Sequence, residues 1–140
     1  MREGLKDYAP LFLRIGLAAT FTLFGWHKLS SPEQSVAEIQ LLLNSGLGSA
    51  SAINYYLGLT ELTIALSFWL GWGIKHTGLI ATLLIAFIFG SLTAKYGLNF
   101  DPLLLRDVGL ISAAFTFWIL GAGPWSIDGR KSGPAATPPQ

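Results

Sequence analysis

The chain has 140 residues, of which 51% are hydrophobic and 12% charged, with a formal net charge of +1 and a mean hydropathy of +0.51. A soluble domain carries about 25% charged residues, so this is the composition of a chain that meets lipid, and its near-neutral charge gives no electrostatic case for a nucleic-acid partner. The absence of cysteine excludes disulfides, thiolate metal sites and thiol redox chemistry carried by the chain itself.

Four apolar segments lie at about 9–29, 53–72, 76–94 and 103–121, each close to the ~20 residues that a helix needs to span ~30 Å of hydrocarbon. They predict an all-α integral membrane protein, an antiparallel four-transmembrane-helix bundle. It forms a single domain over 1–131, because the length leaves no room for a second. The first segment follows Arg2 and Lys6 in the manner of a signal peptide, but its apolar run is longer than an h-region and no small-x-small site follows promptly.

Between spans one and two, Ser31-Pro32-Glu33-Gln34 reads as a helix start, with Ser31 as N-cap and Gln34 closing a capping box. Val36, Ile39, Leu42 and Leu43 then share one face, and Asn44-Ser45-Gly46 supplies the stop. This predicts a short amphipathic helix lying on the bilayer or capping the bundle. Gly73-Ile74-Lys75 joins spans two and three in a tight hairpin, and Lys95 to Pro102 joins three and four. Gly121 to Pro124 ends the last span, and Asp128-Gly129 predicts a turn. The tail 132–140, SGPAATPPQ, has the composition of a disordered segment.

Cations near the helix ends set orientation. One face carries Arg2, Lys6, Arg14, Lys75, Arg130 and Lys131, and the other Lys28, Lys95 and Arg106, which predicts cytoplasmic N- and C-termini. Tyr8, Trp69, Trp72, Trp118 and Trp125 fall at one interface and Trp26, Tyr55, Tyr56 and Tyr96 at the other, the two belts expected of a spanning bundle. Gly16-x-x-x-Thr20 and Gly90-x-x-x-Ala94 have the spacing that permits close helix approach in lipid.

The informative residue is Glu61, the sole ionisable side chain in the second span. A carboxylate there costs a few kcal/mol unless it faces a partner or a cavity. Helix rise places it ~12 Å from the outer end of its span, with His27 and Lys28 within ~3 Å of the outer end of span one. Arg106 and Asp107 lie ~5 Å into span four, and Arg14 enters ~8 Å from the inner side. Since Lys and Arg side chains snorkel over ~5–6 Å, the candidate intramembrane cluster is Glu61, Arg14, Lys28, His27, Arg106 and Asp107, around an outward-facing vestibule. Each member also has a plainer role. Lys28 and Arg106 can reach the headgroups, Arg14 can anchor at the inner interface, and Asp107 can complement a helix start beside Arg106. His27 suits an interfacial position as well as ligation, and no metal-ligand spacing occurs. Glu61 can equally belong to a structural ion pair.

Leu13-Arg14-Ile15-Gly16 and Gly25-Trp26-His27-Lys28-Leu29 at the two ends of span one resemble the first helix of DoxX-type membrane proteins. Thr60-Glu61-Leu62 with Leu70-Gly71 is similar to that family's second helix. Arg106-Asp107-Val108-Gly109-Leu110 and Gly121-Ala122-Gly123-Pro124-Trp125-Ser126-Ile127-Asp128 resemble its ending. The resemblance implies a multi-pass protein of the bacterial or archaeal cytoplasmic (inner) membrane, related to the DoxD-type subunit of a thiosulfate:quinone oxidoreductase. It implies an accessory subunit of a quinone-linked redox or respiratory complex, not catalytic alone. Such a subunit holds no intrinsic cofactor, meets quinone at a shared site, and associates with other membrane subunits or with its own copies. A small proton-coupled transporter, or a purely structural or assembly protein, is the alternative reading.

Overall fold

A computed structural model describes residues 6–43, 49–96 and 102–131 of the chain. Within these the chain forms α1 (Ala9–Ser30), α2 (Pro32–Leu43), α3 (Ala50–Leu70), α4 (Ile74–Tyr96), α5 (Pro102–Leu120) and the short α6 (Ile127–Lys131). The expected stop at Asn44-Ser45-Gly46, the middle of the 95–102 connection and the tail 132–140 lie outside the described residues.

The ends of the helices follow local chemistry. Pro10 sits in the first turn of α1, where a missing N–H costs nothing, and the helix closes with the Ser31 N–H donating to His27 O at 2.9 Å. α3 stops at Gly71, whose φ of +68° is left-handed, with its N–H on Ser67 O at 2.8 Å. A side chain would be strained at that φ, and a Cβ there would overlap the Arg14 guanidinium and Ser126. The hairpin is therefore Gly71-Trp72-Gly73, two residues earlier than the sequence suggests, and α4 begins at Ile74. After Gly121 (φ +79°), the expected turn at Asp128-Gly129 is a single turn of helix. Ser126 caps it, its Oγ accepting from the Gly129 N–H at 2.8 Å.

α1 and α3 form one antiparallel pair and α4 and α5 another. Glycines set their closeness. A Cβ on Gly25 would lie 2.8 Å from Gly58 O, and one on Gly78 would lie 2.7 Å from Ala114 O. Gly16 and Gly90, the positions favoured by small-residue spacing, have nothing within 4 Å and face outward. Spacing locates small residues but not the face that meets a neighbour.

The two pairs share one core. Leu17, Ala18 and Phe21 of α1 meet Ile64, Ala65 and Phe68 of α3, Ala81 and Ile85 of α4, and Ala114 and Phe117 of α5. Phe68 joins the pairs, with ring centroids 6.2 Å from Phe21 and 5.6 Å from Phe117. α2 caps this bundle by packing on α3 and α1, with Ser35 and Ile39 buried beneath it. Of its expected apolar face Ile39 is buried and Val36 half-buried, while the side chains of Leu42 and Leu43 lie outside the described set.

Ala9–Ser30 and Ile74–Ala94 are long and apolar enough to cross a membrane, yet only 28% and 22% of their apolar windows are buried. The core helix of a soluble protein would be mostly covered. Here Phe12, Leu23, Leu83 and Phe87 point outward, which suits lipid. The aromatic residues sit as expected at the helix ends. Trp26, Tyr55 and Tyr56 are exposed at one end, and Tyr8, Trp69, Trp72, Trp118 and Trp125 at the other. The side chain of Tyr96 lies outside the described set.

Candidate functional site

Glu61 belongs to a line of positions on α3, Asn54, Gly58, Glu61, Ala65 and Phe68, that recur at helical spacing and are all buried. At the level of Glu61, the neighbouring helix presents the last turn of α1. Lys28 Nζ donates to Glu61 Oε1 and Oε2, both at 2.9 Å, so the carboxylate is bound through both oxygens. Gly58 makes this reach possible, since a Cβ there would lie 3.2 Å from Lys28 Cβ. Asn54 Nδ2 donates to the Lys28 backbone carbonyl at 2.8 Å, pinning an orphan carbonyl of the helix end. Glu61 is 3% exposed.

The cluster extends to α5. Arg106 Cζ lies 4.7 Å from the centre of the Phe24 ring, and Lys28 Nζ lies 5.7 Å from the same ring. Phe24 is thus a shared platform for two cations, each within cation–π range. Arg106 also donates through Nε and Nη2 to Oδ1 of the buried Asp107, at 3.3 Å. Around these groups is a cavity of about 640 Å³, within the range of small-molecule sites. Phe21, Phe24, Ile85, Ile88 and Leu92 form most of its apolar wall, while Lys28, Glu61, Ser35, Arg106, Asp107 and His27 supply its polar groups. His27 is exposed at the rim. Among the described residues no group of three His, Asp or Glu side chains could hold a metal ion.

Arg14 stands apart from the rest of its expected cluster. It lies ~21 Å from Lys28 along α1, at the opposite end of the bundle, and it is 4% exposed. Its Nη2 donates to the Trp125 carbonyl at 2.7 Å, while Nε and Nη1 have no hydrogen-bond partner among the described residues. The Asp128 carboxylate acts on it electrostatically. Asp128 also accepts from the Ile74 N–H at 2.9 Å and donates its own N–H to Gly71 O at 3.0 Å. Arg14 therefore ties the C-terminal segment across the Gly71 hairpin and takes no part in binding Glu61.

The sequence brought forward Glu61, Lys28, His27, Arg106 and Asp107, and these do line one cavity. Asn54, Ser35 and Phe24 were missed. Asn54 carried a usable signal, lying seven residues before Glu61 on the same helical face. Ser35 carried none, because an N-terminal serine in an amphipathic helix normally faces water.

Residues 9–94 match the sequence pattern of the DoxX family. The chain belongs to the DoxX family. It is accordingly a membrane protein, in agreement with its two apolar, outward-facing helices. No curated relative and no solved structure matches it. The DoxX match covers Lys28, Ser35, Asn54, Glu61 and the α4 wall of the cavity. The resemblances at 106–110 and 121–128 lie beyond it.

Proposed function

We propose that this DoxX protein is an accessory subunit of a quinone-linked redox or respiratory assembly in a prokaryotic cytoplasmic membrane. All four long helices cross the bilayer, both termini are cytoplasmic, and the cavity beside Lys28 and Glu61 is a quinone-contacting site completed by partner subunits. The cavity carries the reading. Intramembrane ionisable groups are costly and mark functional sites by default, and here a buried ion pair opens onto an apolar, aromatic-walled space of about 640 Å³. Phe21 and Phe24 supply aromatic wall, and Lys28, Ser35 and Arg106 offer donors to carbonyl oxygens. With no cysteine in the chain, the electrons pass through partner subunits, and this chain binds and orients.

The two-oxygen grip of Lys28 on Glu61 and the Asn54 brace favour a second reading, in which the pair is purely structural. One experiment separates them. The full-length protein is extracted in mild detergent, quinone and co-purifying subunits are identified, and Glu61→Gln is treated in parallel. The expected outcome is bound quinone in the wild type and a lower quinone content per folded molecule in Glu61→Gln, whose abundance falls because Lys28 is left unpaired. A Glu61→Gln protein that keeps the wild-type quinone content per folded molecule supports the structural reading, and wild-type protein free of quinone and partners overturns the proposal.

A further inference from the structure

The polar groups of the cavity gather toward one end of the helix axes, while its apolar lining runs on past them to mid-helix. Lys28, Ser35 and Arg106 lie at the end where α1 finishes and α5 begins, whereas Phe21 and Leu84 lie toward mid-helix. On α4, Leu84, Ile85, Ile88 and Leu92 make an unbroken apolar strip that covers ~12 Å of helix. Charge adds a second constraint. The two cations among the described lining residues, Lys28 and Arg106, are each matched by a carboxylate, Glu61 and Asp107. Such a lining presents ammonium and guanidinium N–H groups beyond those its own carboxylates take, but no net charge to hold an anion.

The third constraint is access. Leu23 lines the cavity although it is 68% exposed, and it sits ~10 Å along α1 from the Ser30 end. The opening beside it is therefore on the flank of the bundle and not at its tip. α1, α4 and α5 all wall the cavity, and α1 packs closely on α3 but only lightly on α5, so the loose seam lies between α1 and the α4–α5 pair. Among the described residues α1 and α4 are the helices apolar and long enough to cross a membrane, so this flank faces lipid.

We propose that the cavity takes an uncharged molecule with a hydrogen-bond-accepting head and an apolar tail, admitted sideways from the bilayer between α1 and the α4–α5 pair, past Leu23. The inference rests on the quinone-contacting reading and adds the route and the orientation. The head lies at Lys28, Ser35 and Arg106, and the tail follows the α4 strip.

The test uses the full-length protein in nanodiscs of neutral lipid and follows quenching of Trp26, which lines the cavity. Trp26→Phe identifies the signal from that residue. The probes are decylubiquinone and the same benzoquinone head without its tail. Decylubiquinone is expected to quench saturably, and the tail-less head to need at least ~10-fold more total ligand, since each tail methylene favours leaving water. Leu23→Phe is expected to slow the approach to saturation several-fold with the final quench retained. If both quinones quench equally well and Leu23→Phe binds at the wild-type rate, the sideways route is overturned while the quinone-contacting reading stands. If neither quinone quenches saturably, both fall. Competition by a few mole per cent of dioleoylphosphatidylglycerol would overturn the assignment of an uncharged head.

Discussion

At the scale of the residue, the contact between Lys28 and Glu61 decides how this protein tolerates change. A buried ion pair has two faces. Removing one partner leaves an uncompensated charge and costs ~3–5 kcal/mol, whereas replacing both by apolar groups of similar volume is often neutral or stabilising. Glu61 is buried and its partner largely so, so the first rule applies here. Glu61→Leu leaves Lys28 unpaired, and Lys28→Met leaves the carboxylate unpaired with no route to water through α3. Both single variants are therefore expected to lose most of that ~3–5 kcal/mol, read as a lowered thermal midpoint in nanodiscs. The double variant Lys28→Met with Glu61→Leu should recover most of the loss. Additive losses in the double variant would show that the two side chains act independently. This asymmetry also explains what could be read from the sequence. A lone glutamate in an apolar run demands a partner, and three cations were within snorkelling range. Choosing among them needed the Gly25–Gly58 contact, which brings α1 and α3 close enough for Lys28 to arrive first. Arg106 is held instead over Phe24 and against Asp107.

At the scale of the element, the helices were legible because four apolar runs of near-spanning length leave few alternatives. Their ends were less so. The α3–α4 hairpin was misplaced by two residues, since Trp72 and Ile74 are equally apolar and only backbone geometry distinguishes them. Gly71 and Gly73 take positive φ, which ends one helix and frees Ile74 to start the next. Glycines on the helix flanks teach a related lesson. Gly25 sits against Gly58 O and the Leu62 side chain, while Gly16 faces open space. Gly25→Val must therefore push α1 off α3, at a cost of ~1–3 kcal/mol for overpacking, and it should also lengthen the Lys28–Glu61 contact. Gly16→Val touches nothing and should fall within ~0.5 kcal/mol of wild type. Thermal midpoints of the two variants in the same lipid check this. Equal effects would show that the close approach at Gly25 does not hold the pair together.

At the scale of the whole molecule, the two ends of the bundle are built differently. At one end α2 covers the bundle, and α1 and α5 stand apart across the cavity, bridged by the stack of Arg106 on Phe24. The other end is tied down by the C-terminal segment. Tyr8 stacks on Trp125 with ring centroids 5.5 Å apart, Arg14 holds the Trp125 carbonyl, and Asp128 bonds to both sides of the Gly71 hairpin. None of these bonds was foreseeable from the sequence, because each runs from a side chain to a backbone group more than fifty positions away, or between backbone groups. Position along α1 made Arg14 look like a partner for Glu61, and only the return of the chain after α5 shows what it does. Asp128 satisfies the Ile74 N–H, one of the orphan donors at the start of α4, and losing such a bond costs ~1 kcal/mol. Asp128→Ala should therefore loosen the closed end while leaving the Lys28–Glu61 contact in place. Amide hydrogen exchange of the protein in nanodiscs is the discriminating measurement. Faster exchange is expected at Ile74 and around Gly71, with the last turn of α1 and the Glu61 region of α3 unchanged. Equal acceleration at both ends would mean that the C-terminal segment stabilises the bundle as a single cooperative unit and not its closed end alone.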